Sequence, residues 1–193
     1  MKKYFTTKTI TGLGILTAIL VCLFGLSNVI RIGNLTLNLT LVPIAVGACL
    51  FGPFGGFFLG FVDGVLNLLV GEVGAFMAVN AWATVIVVIL KTSLAGLVAG
   101  FVFLPFKNKY PLVGCIIASC LVPLVNTGLF VVGCILFFMS LVEAISGSTG
   151  SAAIGFIFVG FVGINFLIEF GVNASLSTLV HTVYRINEKK KQM

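Results

Sequence analysis

The chain of 193 residues is 60% hydrophobic and only 8% charged, whereas a soluble domain is about 25% charged. A water-soluble fold of this size could not bury so much apolar surface, so the composition excludes a soluble protein and predicts one transmembrane domain over residues 1–193. The net charge of +6 does not indicate nucleic-acid binding, because the basic residues lie at the chain ends and in one loop, where they orient a membrane protein.

The first part of the chain contains three predicted membrane spans. A helix needs about 20 apolar residues to cross the hydrocarbon core, and residues 9–30 form the first such run. This run is too long for a signal peptide and lacks a convincing cleavage site, so we expect it to be retained. After the polar stretch 31–38, the apolar block 39–70 is too long for one span. A Phe-Gly-Pro-Phe-Gly-Gly turn signal at 51–56 predicts that it forms two shorter helices.

The second part contains three more spans. A short interfacial piece ends near Asn80, and apolar runs cover residues 82–104, 112–141 and 153–184. A Ser/Gly-rich loop at 146–151 separates the last two runs. The sequence therefore predicts an all-α membrane protein, a compact bundle of about six transmembrane helices.

Basic residues predict the orientation of this bundle. With six spans both termini share one side of the membrane, together with the loop after the fourth span. These regions hold most of the positive charge: Lys2, Lys3, Lys8, Lys107, Lys109, Arg185, Lys189, Lys190 and Lys191. The excess of Lys and Arg on cytoplasmic loops predicts that both termini are cytoplasmic.

The cysteines and the single histidine do not indicate a metal site. The five cysteines show no CxxC spacing, and each lies in an apolar run, so a zinc ligand set has little support. We expect the cysteines to be small apolar packing residues, and we expect no metal and no cofactor.

Ionisable residues within the predicted spans are candidates for function, because charge is costly in hydrocarbon. Asp63 lies in the middle of the third span, with Asn67 one turn later, and Lys91 lies in the middle of the fourth. Two interpretations are open. Asp63 and Lys91 form a structural ion pair, or they have a ligand-binding or coupling role.

Carboxamides form a second group of candidates. Asn126 lies in the middle of the fifth span, and Asn165, Glu169 and Asn173 recur at every fourth position of the sixth. Such a stripe faces protein or a water-filled cavity rather than lipid. Interhelical hydrogen bonds alone would explain it, but the number of polar groups favours a cavity.

The absence of complete catalytic motifs argues against an enzyme. The stretch Lys91-Thr92-Ser93 ends like a phosphate-binding loop, but it lacks the required glycines and lies in a membrane helix. The chain contains no HExxH and no GxSxG motif. We therefore expect that it is not an enzyme and that it does not hydrolyse ATP alone.

The helices after the first span resemble a known family. The stretches Leu-Thr-Leu-Val-Pro-Ile at 39–44, Leu-Phe-Gly-Pro-Phe-Gly-Gly at 50–56 and Gly-Phe-Val-Asp at 60–63 are similar to the S components of energy-coupling factor (ECF) vitamin transporters. The resemblance implies a bacterial plasma-membrane subunit that captures a vitamin from outside. It also implies partners, namely a transmembrane T subunit and two cytoplasmic ATPases.

The resemblance also assigns residues. The family carries an Ala-xxx-Ala motif on the first helix for docking to the T subunit. Gly14 and Ala18 stand at the matching positions, and small residues there permit close helix approach. The family's substrate site lies in the outer half of the bundle, at positions that correspond here to Asn34, Asn38, Asn80, Trp82, Asn126 and Asn165.

The vitamin is expected to be pantothenate. Residues 91–100 and 122–128 look most similar to the pantothenate-type components, and Lys91 is expected to meet the carboxylate while Asn side chains serve the amide and hydroxyls. Folate or riboflavin remain alternatives. A different class is a stand-alone secondary transporter coupled to protons through Asp63, Glu169 and His181.

Overall fold

The computed structural model describes residues 6–29, 31–32, 35–36, 38–70 and 73–192, and most of them are helical. Helix α1 spans Thr7–Val29. A small antiparallel hairpin follows, in which β1 (Arg31–Ile32) pairs with β2 (Leu35–Thr36). The hairpin leads the chain from α1 into the next span.

Helix α2, Leu41–Val70, is broken at Gly52, whose φ of 73° and ψ of −162° are not helical. Glycine adopts this positive φ without the steric penalty of a side chain, and Pro53 begins the next helical turn without needing a hydrogen-bonded N–H. We call residues 41–51 the first arm and 53–70 the second arm.

The two arms of α2 fold back against each other. Positions eight residues apart lie about 12 Å apart along a straight helix. Here a Cβ built on Gly55 would lie only 2.7 Å from the carbonyl oxygen of Gly47, and the side chain of Leu59 also contacts Gly47. The turn expected at 51–56 is therefore present, and the chain reverses there.

The remaining helices follow in order. They are α3 (Gly74–Val79), α4 (Ala81–Phe106), α5 (Pro111–Phe137), α6 (Met139–Ser146), α7 (Ser151–Phe156), a π-helical segment (Ile157–Gly163) and α8 (Ile164–Gln192). Asn80 caps α4 by accepting a hydrogen bond from the backbone N–H of Ala83 at 3.1 Å. Gly147 and Gly150, both with positive φ, shape the loop between α6 and α7.

The second arm of α2 packs antiparallel to α4 along a line of small residues. Gly56 meets the backbone of Gly96, Gly60 meets that of Thr92, and Gly100 meets that of Pro53. In a membrane, helix association depends on such close van der Waals packing, because lipid is as apolar as a side chain. This contact fixes the position of Lys91, which adjoins Thr92.

Five helical stretches are long and apolar enough to cross a membrane: Thr7–Asn28, Leu41–Val70, Ala81–Phe106, Pro111–Phe137 and Ser151–Lys189. Since α2 is itself two arms, the prediction of an all-α membrane bundle of about six helices is confirmed. Two boundaries differ from the prediction. The fifth span ends at Phe137 and gives way to α6, and the sixth continues past Tyr184 and contains the π-helical segment.

The largest apolar core lies between α1, the first arm of α2, α4, α5 and the end of α8. Phe103 and Tyr184 meet edge to face there, with centroids 5.1 Å apart, and Cys49 and Cys115 are buried free thiols. A second apolar cluster joins the end of α5 to α6, α7 and the π-helical segment.

Candidate substrate-binding cavity

A polar cavity of about 180 Å³ lies between α1, the second arm of α2, α4, α5 and α8. Most of its wall is made of carboxamide, hydroxyl and charged groups, completed by aromatic and aliphatic side chains. Its lining residues are Phe24, Ser27, Asn28, Asn38, Asn67, Lys91, Asn126, Thr127, Phe130, Val162, Asn165, Phe166 and Glu169.

The end of α1 and the segment before α2 form one wall. Ser27 donates to the Leu23 carbonyl at 2.8 Å and accepts a hydrogen bond from the backbone N–H of Leu39 at 3.2 Å. This second bond ties the segment to α1. The hydroxyl of Thr40 donates to Oδ1 of Asn38, which orients the Asn38 amide at the cavity wall.

Asn67 and Lys91 contribute the wall formed by α2 and α4. Asn67 is buried and donates to the backbone carbonyl of Asp63 at 2.8 Å. The ammonium group of Lys91 lies 5.3 Å from the ring centroid of Phe130, a cation–π distance. Phe76 of α3 packs edge to face on Phe130, with centroids 5.7 Å apart, so the short helix α3 supports the ring beneath the lysine.

Asn126 contributes the polar wall of α5. Its side chain is 4% exposed, and its Oδ1 has no hydrogen-bond partner among the residues that the structure describes. A buried amide oxygen without a partner costs free energy in an apolar medium. A ligand donor that bonds to this oxygen would remove that cost.

Asn165 and Glu169 face the cavity from consecutive turns of α8. The Asn165 amide donates to Oε1 of Glu169 at 3.4 Å, and the Asn165 Oδ1 is buried without a partner in the described part of the chain. Asn173 continues the stripe but donates instead to the Glu169 backbone carbonyl at 2.9 Å. Asn173 is not among the cavity-lining residues, so the stripe serves the cavity at two of its three positions.

The cavity therefore combines one cation with one buried carboxylate. Lys91 on α4 and Glu169 on α8 both line it, and the two groups carry opposite charges when ionised. Among the described residues, the Lys91 nitrogen has no carboxylate oxygen within 4.0 Å. Both charged groups consequently remain available to a bound molecule.

Four residues predicted as substrate-binding line this cavity: Asn38, Lys91, Asn126 and Asn165. The structure does not place Asn80 or Trp82 there. The Asn80 side chain caps α4. Trp82, two residues after that cap, is 81% exposed, as expected of an aromatic residue at a membrane interface. Asn34 lies outside the described residues.

Some lining residues were not assigned from the sequence. Asn67 follows Asp63 by one turn, and Glu169 follows Asn165 by one turn, so helical periodicity carried a signal for both. Thr127 adjoins Asn126, a predicted site residue, whereas Asn28 lies inside the first predicted span and had no such signal. Phe130 had no signal, because it is one of 19 phenylalanines and only the packing of α4 against α5 places it under Lys91.

The other singled-out residues lie apart from the cavity wall. Asp63 is fully buried and is not a lining residue, so its pairing with Lys91 stays a prediction. His181 is about 18 Å along α8 from Glu169 at 1.5 Å per residue. Gly14 and Ala18 lie on the exposed face of α1, where a Cβ built on Gly14 meets no atom within 4 Å.

Comparison with known proteins identifies the family of this chain. A family model described as ECF transporter, substrate-specific component, matches residues 8–181. No curated protein and no solved structure gave a significant match. Substrate-specific components are membrane subunits of transporters rather than enzymes, and the match covers most of the 193 residues. The chain therefore belongs to the family of substrate-specific components of ECF transporters.

Proposed function

We propose that this substrate-specific component captures a water-soluble vitamin from outside the cell, pantothenate being the best match, and delivers it to an ATP-driven ECF module. The observation that carries the proposal is the convergence of Lys91 with the amides of Asn38, Asn126 and Asn165 around one cavity. These residues come from four separate parts of the chain. Such convergence is typical of a binding site rather than of pairwise helix contacts.

The chemistry of the wall suits a small polar acid. Pantothenate has a carboxylate, an amide and two hydroxyls. The ammonium of Lys91 is a partner for the carboxylate, and each carboxamide offers two donors and an acceptor for the remaining groups. The unpartnered Oδ1 atoms of Asn126 and Asn165 match the N–H and O–H donors of this ligand.

The size of the cavity favours pantothenate over the alternatives. Its volume of about 180 Å³ is below the roughly 300–1,000 Å³ of sites for drug-sized ligands. Riboflavin and folate contain large flat ring systems, for which stacking aromatics are expected on both faces of the ring. Phe24, Phe130 and Phe166 line the cavity, but Trp82 does not, and a compact acid fits this volume better.

The exposed face of α1 is the proposed docking surface for the module. Gly14 and Ala18 are exposed one turn apart, flanked by exposed Ile15 and Ile19. The small residues allow a partner helix to approach, and the isoleucines add apolar contact. The proposed partners are a transmembrane T subunit and two cytoplasmic ATPases, with both termini of this chain in the cytoplasm of a bacterial cell.

Two measurements test the proposal. Native mass spectrometry of the purified protein identifies a retained vitamin, and calorimetric titration compares pantothenate with riboflavin and folate. Pantothenate is expected to bind most tightly. Uptake into proteoliposomes is expected only when the T subunit and the ATPases are present. Accumulation by the isolated chain without ATPases would instead support the proton-coupled secondary transporter.

A further inference from the structure

Glu169 is a buried carboxylate in the wall of the cavity. The proposed contact between Lys91 and the carboxylate of the ligand does not involve it. Glu169 is 6% exposed and lies in the second turn of α8. A carboxylate buried in a membrane protein needs hydrogen-bond donors to offset the loss of water. Among the described residues, the Asn165 amide donates to Glu169 at 3.4 Å, and the nearby backbone N–H of Asn38 stabilises its negative charge.

These two partners do not use the full capacity of the group. An ionised carboxylate has about four acceptor positions, and the bond from Asn165 is long for an N–H···O hydrogen bond. Because Glu169 lines the cavity, the remaining acceptor positions are available to a molecule bound there.

The neighbouring amides offer the same kind of group. Asn165 uses its N–H on Glu169, so its Oδ1 is the atom left for a ligand, and this oxygen is buried without a partner among the described residues. The Oδ1 of Asn126 is in the same condition. Asn126, Asn165 and Glu169 therefore form what we call the acceptor wall, a surface on α5 and α8 that accepts hydrogen bonds.

Lys91, on α4, contributes a positively charged hydrogen-bond donor to the cavity. Its ammonium lies over the Phe130 ring rather than in direct contact with the Glu169 carboxylate. A ligand between the two groups meets a cation at one point and acceptors at another. The cavity is thus complementary to a dipolar molecule with an acid group and separate hydrogen-bond donors.

We propose that Glu169 is a specificity-determining residue that accepts hydrogen bonds from hydroxyl or amino groups of the transported molecule. The ligand class is a small organic acid with at least two O–H or N–H donors away from its acid group. Acids that lack such donors bind more weakly, because they leave the buried oxygens of the acceptor wall unpaired and gain none of these hydrogen bonds. This inference rests on the proposed function, in that it takes the cavity to be the transport site.

The ligand side of the test uses the purified full-length chain in detergent and two probes. Pantothenate carries an acid and three donors, and nicotinate carries an acid on a ring without O–H or N–H donors. Calorimetric titration of the wild type is expected to show pantothenate binding and at least tenfold weaker binding of nicotinate. Equal or tighter binding of nicotinate would overturn the inference, and binding of neither acid would overturn the proposed function together with it.

The protein side uses Glu169→Gln, which replaces one acceptor oxygen with an NH₂ donor that opposes the ligand's own donors. Pantothenate affinity is expected to fall about 5- to 150-fold. Glu169→Asp keeps both acceptor oxygens and is expected to recover part of that loss. The matched control is Glu143→Gln in α6, whose carboxylate accepts from the Gly150 N–H at 3.2 Å outside the cavity.

The outcomes separate the two proposals. Wild-type pantothenate binding with unchanged affinity in Glu169→Gln overturns the role of Glu169 and leaves the proposed function standing. If Glu169→Gln lowers thermal stability so far that it cannot be titrated, Glu169→Asp and the wild-type comparison of the two acids decide. A Glu143→Gln loss equal to that of Glu169→Gln would also overturn the assignment, because it would trace the effect to charge removal in general.

Discussion

Gly60 is the position at which a single methyl group tests how the bundle supports its cavity. A Cβ added there would lie 2.6 Å from the carbonyl carbon of Thr92 and 2.9 Å from the Cα of Ser93, and it would meet the Thr92 carbonyl oxygen more closely still. Ordinary contacts of a Cβ begin near 3.4 Å. Since the atoms that it meets are backbone, α4 must move by about 1 Å in Gly60→Ala.

The energetic cost follows from two opposing terms. Overpacking a tight contact costs about 1–3 kcal/mol, and replacing glycine by alanine in a helix returns at most about 1 kcal/mol. Because the atoms that the Cβ meets are backbone, we place the overpacking cost at about 2–3 kcal/mol. The net loss is then about 1–2 kcal/mol, which corresponds to a melting temperature lower by roughly 2–8 °C for a chain of this length. Because Lys91 adjoins the displaced residues, ligand affinity is expected to fall as well.

Thermal unfolding of the purified protein in one detergent measures this effect. Gly14→Ala is the matched control, because a Cβ at Gly14 meets nothing within 4 Å, and its melting temperature is expected to equal or slightly exceed that of the wild type. An unchanged melting temperature in Gly60→Ala, or an equal decrease in both variants, would refute the packing argument.

Three further predictions concern function. Asn126→Ala and Asn165→Ala are each expected to lower ligand affinity by about 5- to 150-fold in calorimetric titration, since each removes one hydrogen bond of roughly 1–3 kcal/mol. The control Trp82→Ala is expected to change the affinity less than twofold. Lower thermal stability with unchanged affinity would assign the two asparagines to helix packing. Gly14→Leu and Ala18→Leu are expected to abolish uptake with the complete module while sparing ligand binding, and an equal loss of binding would show that the pair serves the fold of this chain. The isolated chain is expected to show no ATP hydrolysis in a phosphate-release assay, because it lacks a phosphate-binding loop; measurable turnover by the pure protein would contradict this.

The helical architecture was predictable because hydrocarbon imposes a simple rule on the chain. Apolar runs of span length must be helical so that their backbone groups are hydrogen-bonded, and the run over residues 81–106 satisfies this rule without knowledge of its neighbours. The reversal at Gly52 was also visible in sequence, since Phe-Gly-Pro combines a residue that tolerates positive φ with one that starts a helix. Helix boundaries were less predictable. The end of α5 at Phe137 was missed because the sequence stays apolar into α6.

Part of the cavity was predictable by the same physics. A carboxamide or charge in the middle of a span must face protein or water, and Lys91, Asn126, Asn165 and Glu169 all line the one polar cavity described above. That rule does not predict where a polar side chain lies relative to a neighbouring helix. Asn173 obeys the same periodicity as Asn165 but bonds to its own helix backbone, and Asp63 is as polar as Lys91 yet lies outside the wall.

The patterns along the chain thus determine which residues are membrane-embedded, where the helices turn, and which polar groups require partners. The sequence is sufficient for this because the free-energy cost of burying a polar group depends on the group itself. The pairing of those groups depends on distances between helices that are remote in sequence. Gly56 against Gly96 and Gly60 against Thr92 draw α2 onto α4, Phe76 supports Phe130 under Lys91, and Trp82 is left at the surface. Such contacts arise only when the helices pack, because each is a property of two surfaces rather than of one residue.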